Sequence, residues 1–199
     1  MDPVRYPSLA AYASRLPDGL ASYPECSAKG SMIRSALEGH DLDVELDRLP
    51  DAISDLVRAP PPPTQWVPLV LAEAVFHLVC DRFYPTEEEA IAWSYQRTVQ
   101  MATNPLYRKL AAVAGPKIFL KMASRVHKLF ERGTNLDVQL RPSSAHLELT
   151  HPPHVHSPLN QVTNVGMVRA VIDITGGKNG VCKMTRSTPR GAIFECSWE

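Results

Sequence analysis

The chain of 199 residues is 44% hydrophobic and balances 21 Lys and Arg against 21 Asp and Glu. That composition supports a core and excludes global disorder, and the zero net charge excludes a globally basic polyanion binder or an acidic tail protein. No apolar run reaches the roughly 18–20 residues of a membrane span. The first residues lack the basic-then-apolar order of a signal peptide, and the 4 cysteines have no paired spacing, so a reducing cytoplasm is expected.

There are 18 prolines, well above the usual share of about 5%. Residues 1–28 hold Pro3, Pro7, Pro17 and Pro24, and they read as an arm laid over a single domain of residues 29–199, because closely spaced prolines forbid a long helix. Residues 29–37 predict a short helix and residues 43–49 a further turn or two. Pro50 suits the first position of a helix running to Arg58. Pro60-Pro61-Pro62-Pro63 must be extended, as a connector or as a ligand for a polyproline-binding module.

Residues 66–83 are apolar almost all round, which predicts a central buried helix. Thr86-Glu87-Glu88-Glu89 is a capping box opening a helix to about residue 103. Gly115-Pro116 starts the next, with a stripe of Ile118 or Phe119, Met122, Val126 and Leu129 or Phe130, closed by Gly133. The period then changes to 2. Leu136, Val138 and Leu140 pair with Leu147 and Leu149 as a hairpin. A helix over residues 159–175 and a second hairpin, 181–186 with 192–198, follow. Cys182, Met184, Phe194, Cys196 and Trp198 are placed on the inner face. The expected class is α+β, an N-terminal helical layer packed on one small antiparallel sheet of C-terminal β-β-α-β-β order.

Several constellations carry candidate chemistry. Glu73 and His77 lie four apart on the most buried helix, with Cys80 a turn on. They are a polar anchor at the floor of a pocket, a metal-ligand set, or a core hydrogen bond. His146, His151, His154 and His156 are dense, and they read as a solvated proline-stiffened loop, a metal site or a pH-responsive contact. Cys182 and Cys196 face each other across the last hairpin as reduced thiols or a redox pair. Lys117, Lys121, Arg125, Lys128 and Arg132 share one helix face, within a basic stretch that starts at Arg97 and includes Arg108 and Lys109. That face suits an acidic partner or an anion, unless the acidic stretch 38–58 neutralises it. Zero net charge and the lack of interleaved aromatics argue against nucleic acid. No phosphate loop, nucleophile elbow, Cys-x-x-Cys pair or His-Glu-x-x-His helix occurs, so nothing argues for an enzyme.

The order of elements, with Phe83-Tyr84-Pro85, Tyr95, Thr98, Gly115-Pro116, Arg132-Gly133-Thr134-Asn135, Gly166 and Trp198 in place, resembles a mainly myxobacterial family of unknown function over residues 29–198. That family is distantly similar to the superfamily of haem-nitric-oxide-binding domains, 4-vinyl reductase domains and transport-particle subunits. The resemblance implies helices over a small sheet with a pocket between them, and sensing, binding or scaffolding more than catalysis. The haem-binding relatives carry Tyr-x-Ser-x-Arg with an axial histidine, and the nearest string here, Tyr12-Ala13-Ser14-Arg15, is one residue short.

The reading that emerges is a cytoplasmic sensor or regulator, expected to be a homodimer, that holds a small apolar or amphipathic molecule between helices and sheet. Glu73 and His77 are its polar anchors, with Tyr95 and Thr98 on the next helix and Phe76 and Met122 as apolar walls. Its rivals are a scaffold using the basic face of helix 115–132 and a metal-dependent enzyme using the histidine loop. The cofactor is left open.

Overall fold

The computed structural model describes residues 2–102 and 115–199. Thr103, Arg108 and Lys109, invoked above, lie outside them. Helix α1 (Pro7–Arg15) stands where an arm is expected. Pro7 begins it rather than breaks it, since a proline in the first turn has no hydrogen bond to lose. Its free amides are met by another helix: Ser8 N and Leu9 N donate to Asp81 Oδ1 and Oδ2, both at 3.0 Å. Tyr6, Leu9, Tyr12 and Leu16 are buried, so this segment is part of the core.

The chain continues through a 3-10 turn (Gly19–Ala21), β1 (Ser27–Lys29), α2 (Gly30–Leu37), a second 3-10 turn (Asp43–Arg48) and α3 (Asp51–Arg58). Next come β2 (Trp66–Pro68) and α4 (Leu69–Phe83). The buried helix therefore starts three residues later than its apolar pattern predicts, with Pro68 at its N-cap. Helix α5 (Glu87–Ala102) opens on the expected capping box. Glu89 N donates to Thr86 Oγ1 at 3.2 Å, and Thr86 N donates back to Glu89 Oε2 at 3.1 Å. Helix α6 (Pro116–Phe130) runs into β3 (Glu131–Arg132), and Gly133, at φ 81°, turns the chain into β4 (Asn135–Arg141). Strand β5 (Ser144–Thr150), α7 (Pro158–Ile174), β6 (Val181–Thr188) and β7 (Gly191–Ser197) complete the β-β-α-β-β unit.

The fold is α+β, with two antiparallel sheets where one is expected. The main sheet has the order β4-β5-β7-β6, and a second joins β2, β1 and β3. Strands of two or three residues are too short for alternation to reveal. One apolar cluster joins α1 to α4 and extends to Trp93 of α5. The other lies between the main sheet, Leu120 of α6 and Val168 and Ile172 of α7. Cys182 and Cys196 are register partners in it, both free and buried, with Sγ atoms 2.8 Å apart.

Helices α5 and α7 cross closely at Gly166. A Cβ there would overlap the Ile91 carbonyl oxygen and lie 3.2 Å from Tyr95 N. The absence of a side chain sets the spacing of these helices, and with it one wall of the cavity described next.

Candidate functional site

A cavity of about 300 Å³ opens where the two clusters meet, between α2, α4, α5, α6, α7 and the main sheet. Sheet and α6 supply an apolar wall that includes Phe119, Val126, Leu136, Leu149 and Phe194. The other side carries Ser31 and Ser35 of α2, Ser94, Arg97 and Thr98 of α5, and Asn160 and Asn164 of α7. At the floor stand His127, Glu131 and His156.

His156 reaches the floor because its loop is pinned on both sides. His151 N donates to Arg190 O at 3.0 Å and His154 N to Pro189 O at 2.6 Å, which ties the loop to the turn between β6 and β7. His154 takes the left-handed conformation, φ 64°, and Ser157 caps α7 through Asn160 N. Between these anchors the imidazole of His156, 3% exposed, lies between two carboxylates. Its Nδ1 donates to Glu73 Oε1 and its Nε2 to Glu131 Oε2, each at 3.1 Å. Asn160 Nδ2 also donates to Glu73 Oε1, at 2.9 Å. Thr134 Oγ1 donates to Glu131 Oε2 at 3.0 Å and takes a bond of 2.8 Å from His127 Nε2.

Burial pushes the His156 imidazolium down, but the Glu131 and Glu73 carboxylates outweigh it and raise the group to about 10. Burial likewise pushes Glu131 up, yet the charges of His156 and His127 and the bonds from His156 and Thr134 hold it at about 2. Glu73 is shifted upward, by burial first, with His156 only partly offsetting it. Its Oε2 is buried with no partner among the described residues. The floor is therefore an ionised Glu131–His156 pair with Glu73 as the weaker acceptor, linking α4, β3 and the loop before α7.

The other expected site residues are placed as follows. Phe76 and Thr98 line the cavity, and Glu73 stands behind it through His156 and Asn160. His77 faces the other way: its Nδ1 meets Ser8 Oγ at 3.0 Å and its ring stacks on Tyr12. Burial lowers it to about 3, so it is a neutral histidine of the α1–α4 contact. Tyr95 donates to Asp173 Oδ2 at 2.8 Å, outside the cavity. Met122 is 48% exposed, because α6 is turned so that Phe119, Ala123, Val126 and Phe130 face inward while Ile118, Met122 and Leu129 face outward. Lys117, Lys121, Arg125 and Lys128 are exposed on α6.

The histidine loop is not the solvated segment expected from its prolines. His151 and His156 are buried. His151 Nδ1 bonds Pro152 O at 2.8 Å, and Gln161 Nε2 meets its Nε2 at 3.1 Å. His146 lies on the outer face of the sheet, 2.7 Å from Glu195 Oε1. His151 and His156 pack edge to face with ring centroids 5.0 Å apart, but among the described residues no three His, Cys, Asp or Glu side chains form a metal cage. Sequence reasoning did not single out Glu131, His127 or Asn160 as site residues, and it counted Arg97 only within the basic stretch. No local motif marks them, since they come together from four separate elements.

No protein-family model matches the sequence, and no curated protein does. Solved structures match it over most of its length. A structure probing haem distortion in the H-NOX family is 12% identical with a TM-score of 0.59, over 85% of this chain and 92% of that one. An oxygen-binding H-NOX domain related to soluble guanylate cyclases, in its oxygen complex, is 10% identical with a TM-score of 0.58, over 85% and 92%. A Cs H-NOX mutant with an unnatural amino acid is 12% identical with a TM-score of 0.58, over 86% and 96%. This chain has the H-NOX fold.

Haem held in this H-NOX fold needs an imidazole nitrogen free to face the iron and cations for its propionates. His156 has both nitrogens on carboxylates and stays protonated, so it offers no nitrogen to an iron, whereas His127 commits only its Nε2, to Thr134. Arg97 is the sole Lys or Arg among the described lining residues. Tyr12-Ala13-Ser14-Arg15 belongs to α1, with the Tyr12 hydroxyl donating to Val155 O at 3.0 Å. His156 therefore does not fit the part of an axial histidine, and Arg97 alone among the described lining residues could meet a propionate.

Proposed function

We propose that this domain is a non-enzymatic small-molecule sensor or regulatory module whose ligand occupies the cavity between α5, α6, α7 and the main sheet. The observation that carries the proposal is the cavity itself, about 300 Å³ with an apolar wall and a polar one. That size is at the lower end of small-molecule sites, and few well-placed polar groups in an apolar hollow are the usual makeup of such sites. The cavity abuts the closest helix crossing and the buried Glu131–His156 pair, so occupancy would bear directly on how the α4 layer meets the sheet layer. Kinship with the myxobacterial family belongs to the same proposal and rests on the residues that carry the resemblance.

Native mass spectrometry of freshly purified protein is the test. The expected result is a stoichiometric adduct of a few hundred daltons, lost from a variant with Ala123, which lines the cavity, replaced by Phe. A clean apo mass together with no thermal shift from any small amphipathic probe would contradict the proposal.

A second reading, a scaffold or homodimer in a reducing cytoplasm, is favoured by the outer face of α6. There Ile118, Met122 and Leu129, 55%, 48% and 64% exposed, alternate with Lys121, Arg125 and Lys128.

A further inference from the structure

Arg97 lines a largely apolar cavity and has no anionic partner among the described residues. Its guanidinium carbon lies 4.8 Å from the Trp93 ring centroid. Trp93 in turn stacks on Phe76 at 5.8 Å and on Tyr84 at 4.9 Å, so the platform beneath Arg97 is fixed. Among the described residues no carboxylate comes within 4.0 Å of Arg97, and no acceptor bonds its N–H groups. Residues 103–114 contain no Asp or Glu, and the side chains of Asp43 and Glu45 lie outside the described ones. Glu73 acts on it only at longer range, and Glu73 already receives His156 and Asn160. Stacking satisfies the face of a guanidinium and leaves the in-plane fork of donors open, the part that matches a carboxylate.

We propose that the cavity takes a monoanionic amphipath, an apolar body bearing one carboxylate, with Arg97 as its counter-ion and the apolar wall of α6 and the sheet around its body. The inference rests on the cavity's being a ligand site, as proposed above. Arg97 is the one Lys or Arg among the described lining residues, and the protonated His156 is already balanced by Glu131, so the cavity selects one negative charge rather than two. The Glu131–His156 pair is already matched internally and does not compete for the anion. Ser31, Ser35 and Ser94 line the same cavity with hydroxyl donors for a second carboxylate oxygen.

The test compares decanoate with 1-decanol, both below their aggregation limits, by tryptophan fluorescence and calorimetry on the whole protein. Decanoate is expected to bind roughly 10- to 100-fold more tightly, the range for a charge-assisted pair over a neutral one. In Arg97→Met the decanoate affinity should fall to that of decanol while decanol binding is retained, and Arg97→Lys should keep only part of the preference, since an ammonium supplies the charge without the fork. Equal affinities in the unmodified protein would overturn the anion assignment and leave the cavity reading standing, and this comparison does not depend on any variant folding. Decanoate bound as tightly by a folded Arg97→Met protein would overturn it too. Failure of both probes to bind would overturn both readings.

Discussion

His156→Leu is expected to destabilise the protein by about 3–5 kcal/mol at pH 7, the usual cost of removing one partner from a buried, hydrogen-bonded charge pair. The substitution leaves Glu131, held near 2 by its neighbours, without the charge that does most to hold it there. It also leaves Glu73 with Asn160 as its remaining donor among the described residues. The stranded carboxyls would then recover by taking up protons, so the deficit should shrink as pH falls toward 5. A lost packing contact has no such dependence. Urea denaturation at pH 7 and pH 5 separates the two, and a deficit equal at both would mean that the charges are not coupled. Glu131→Gln should behave similarly but more mildly, since the amide keeps an acceptor for His156.

Thermal stability is expected to peak near pH 6–7 and fall on both sides. On the acid side, Glu131 sits at about 2 in the folded protein against about 4.3 unfolded. Its contribution is complete above the unfolded value and is lost as pH falls through the folded one. His77 and His151, lowered by burial to about 3 and about 4, stay neutral in the fold, so their contributions also fade as pH drops below about 6.5. On the alkaline side His156 works the other way. It is raised to about 10, so its stabilisation is complete below about 6.5 and lost as pH climbs through 10. Cys26 and Cys80, pushed up by burial to about 11 and about 12, steepen that limb above their unfolded value of about 8.5. Differential scanning from pH 4 to 10 measures the profile. His156→Leu should flatten the alkaline limb between 7 and 9, and an unchanged limb would contradict a protonated His156.

The helices and both hairpins of the main sheet were legible because each carries its own local signal. Thr86 and Glu89 announce a capped start, Gly115-Pro116 another, and the alternation from Leu136 to Leu149 declares a hairpin. The failures have equally local causes. Pro7 reads as a breaker until Asp81, 73 positions away in the chain, is seen to receive the amide of Ser8. Strands β1, β2 and β3 are too short to show a period. On α6 both Phe119 and Met122 suit an apolar stripe, and only the rotation of the helix on the sheet decides which turns inward.

The candidate site was less legible than the fold. Glu73 stood out as a charge on an apolar helix, but its partner is not His77, one turn along. It is His156, 83 residues away, in a loop whose prolines suggested exposure. Glu131 was the lone acid in a basic stretch, which marks it only after the fold brings His156 to it. Arg97 gave no signal of its own, because a half-buried cation with no carboxylate beside it among the described residues is a property of what does not surround it.

The central claim is that the cavity holds the ligand. Tryptophan fluorescence titration of decanoate into the unmodified protein and into Ala123→Phe tests it most directly. The new ring is expected to fill the cavity and reduce affinity at least tenfold while the thermal midpoint holds or rises. Unchanged decanoate affinity in the folded variant would place the ligand elsewhere and contradict the account.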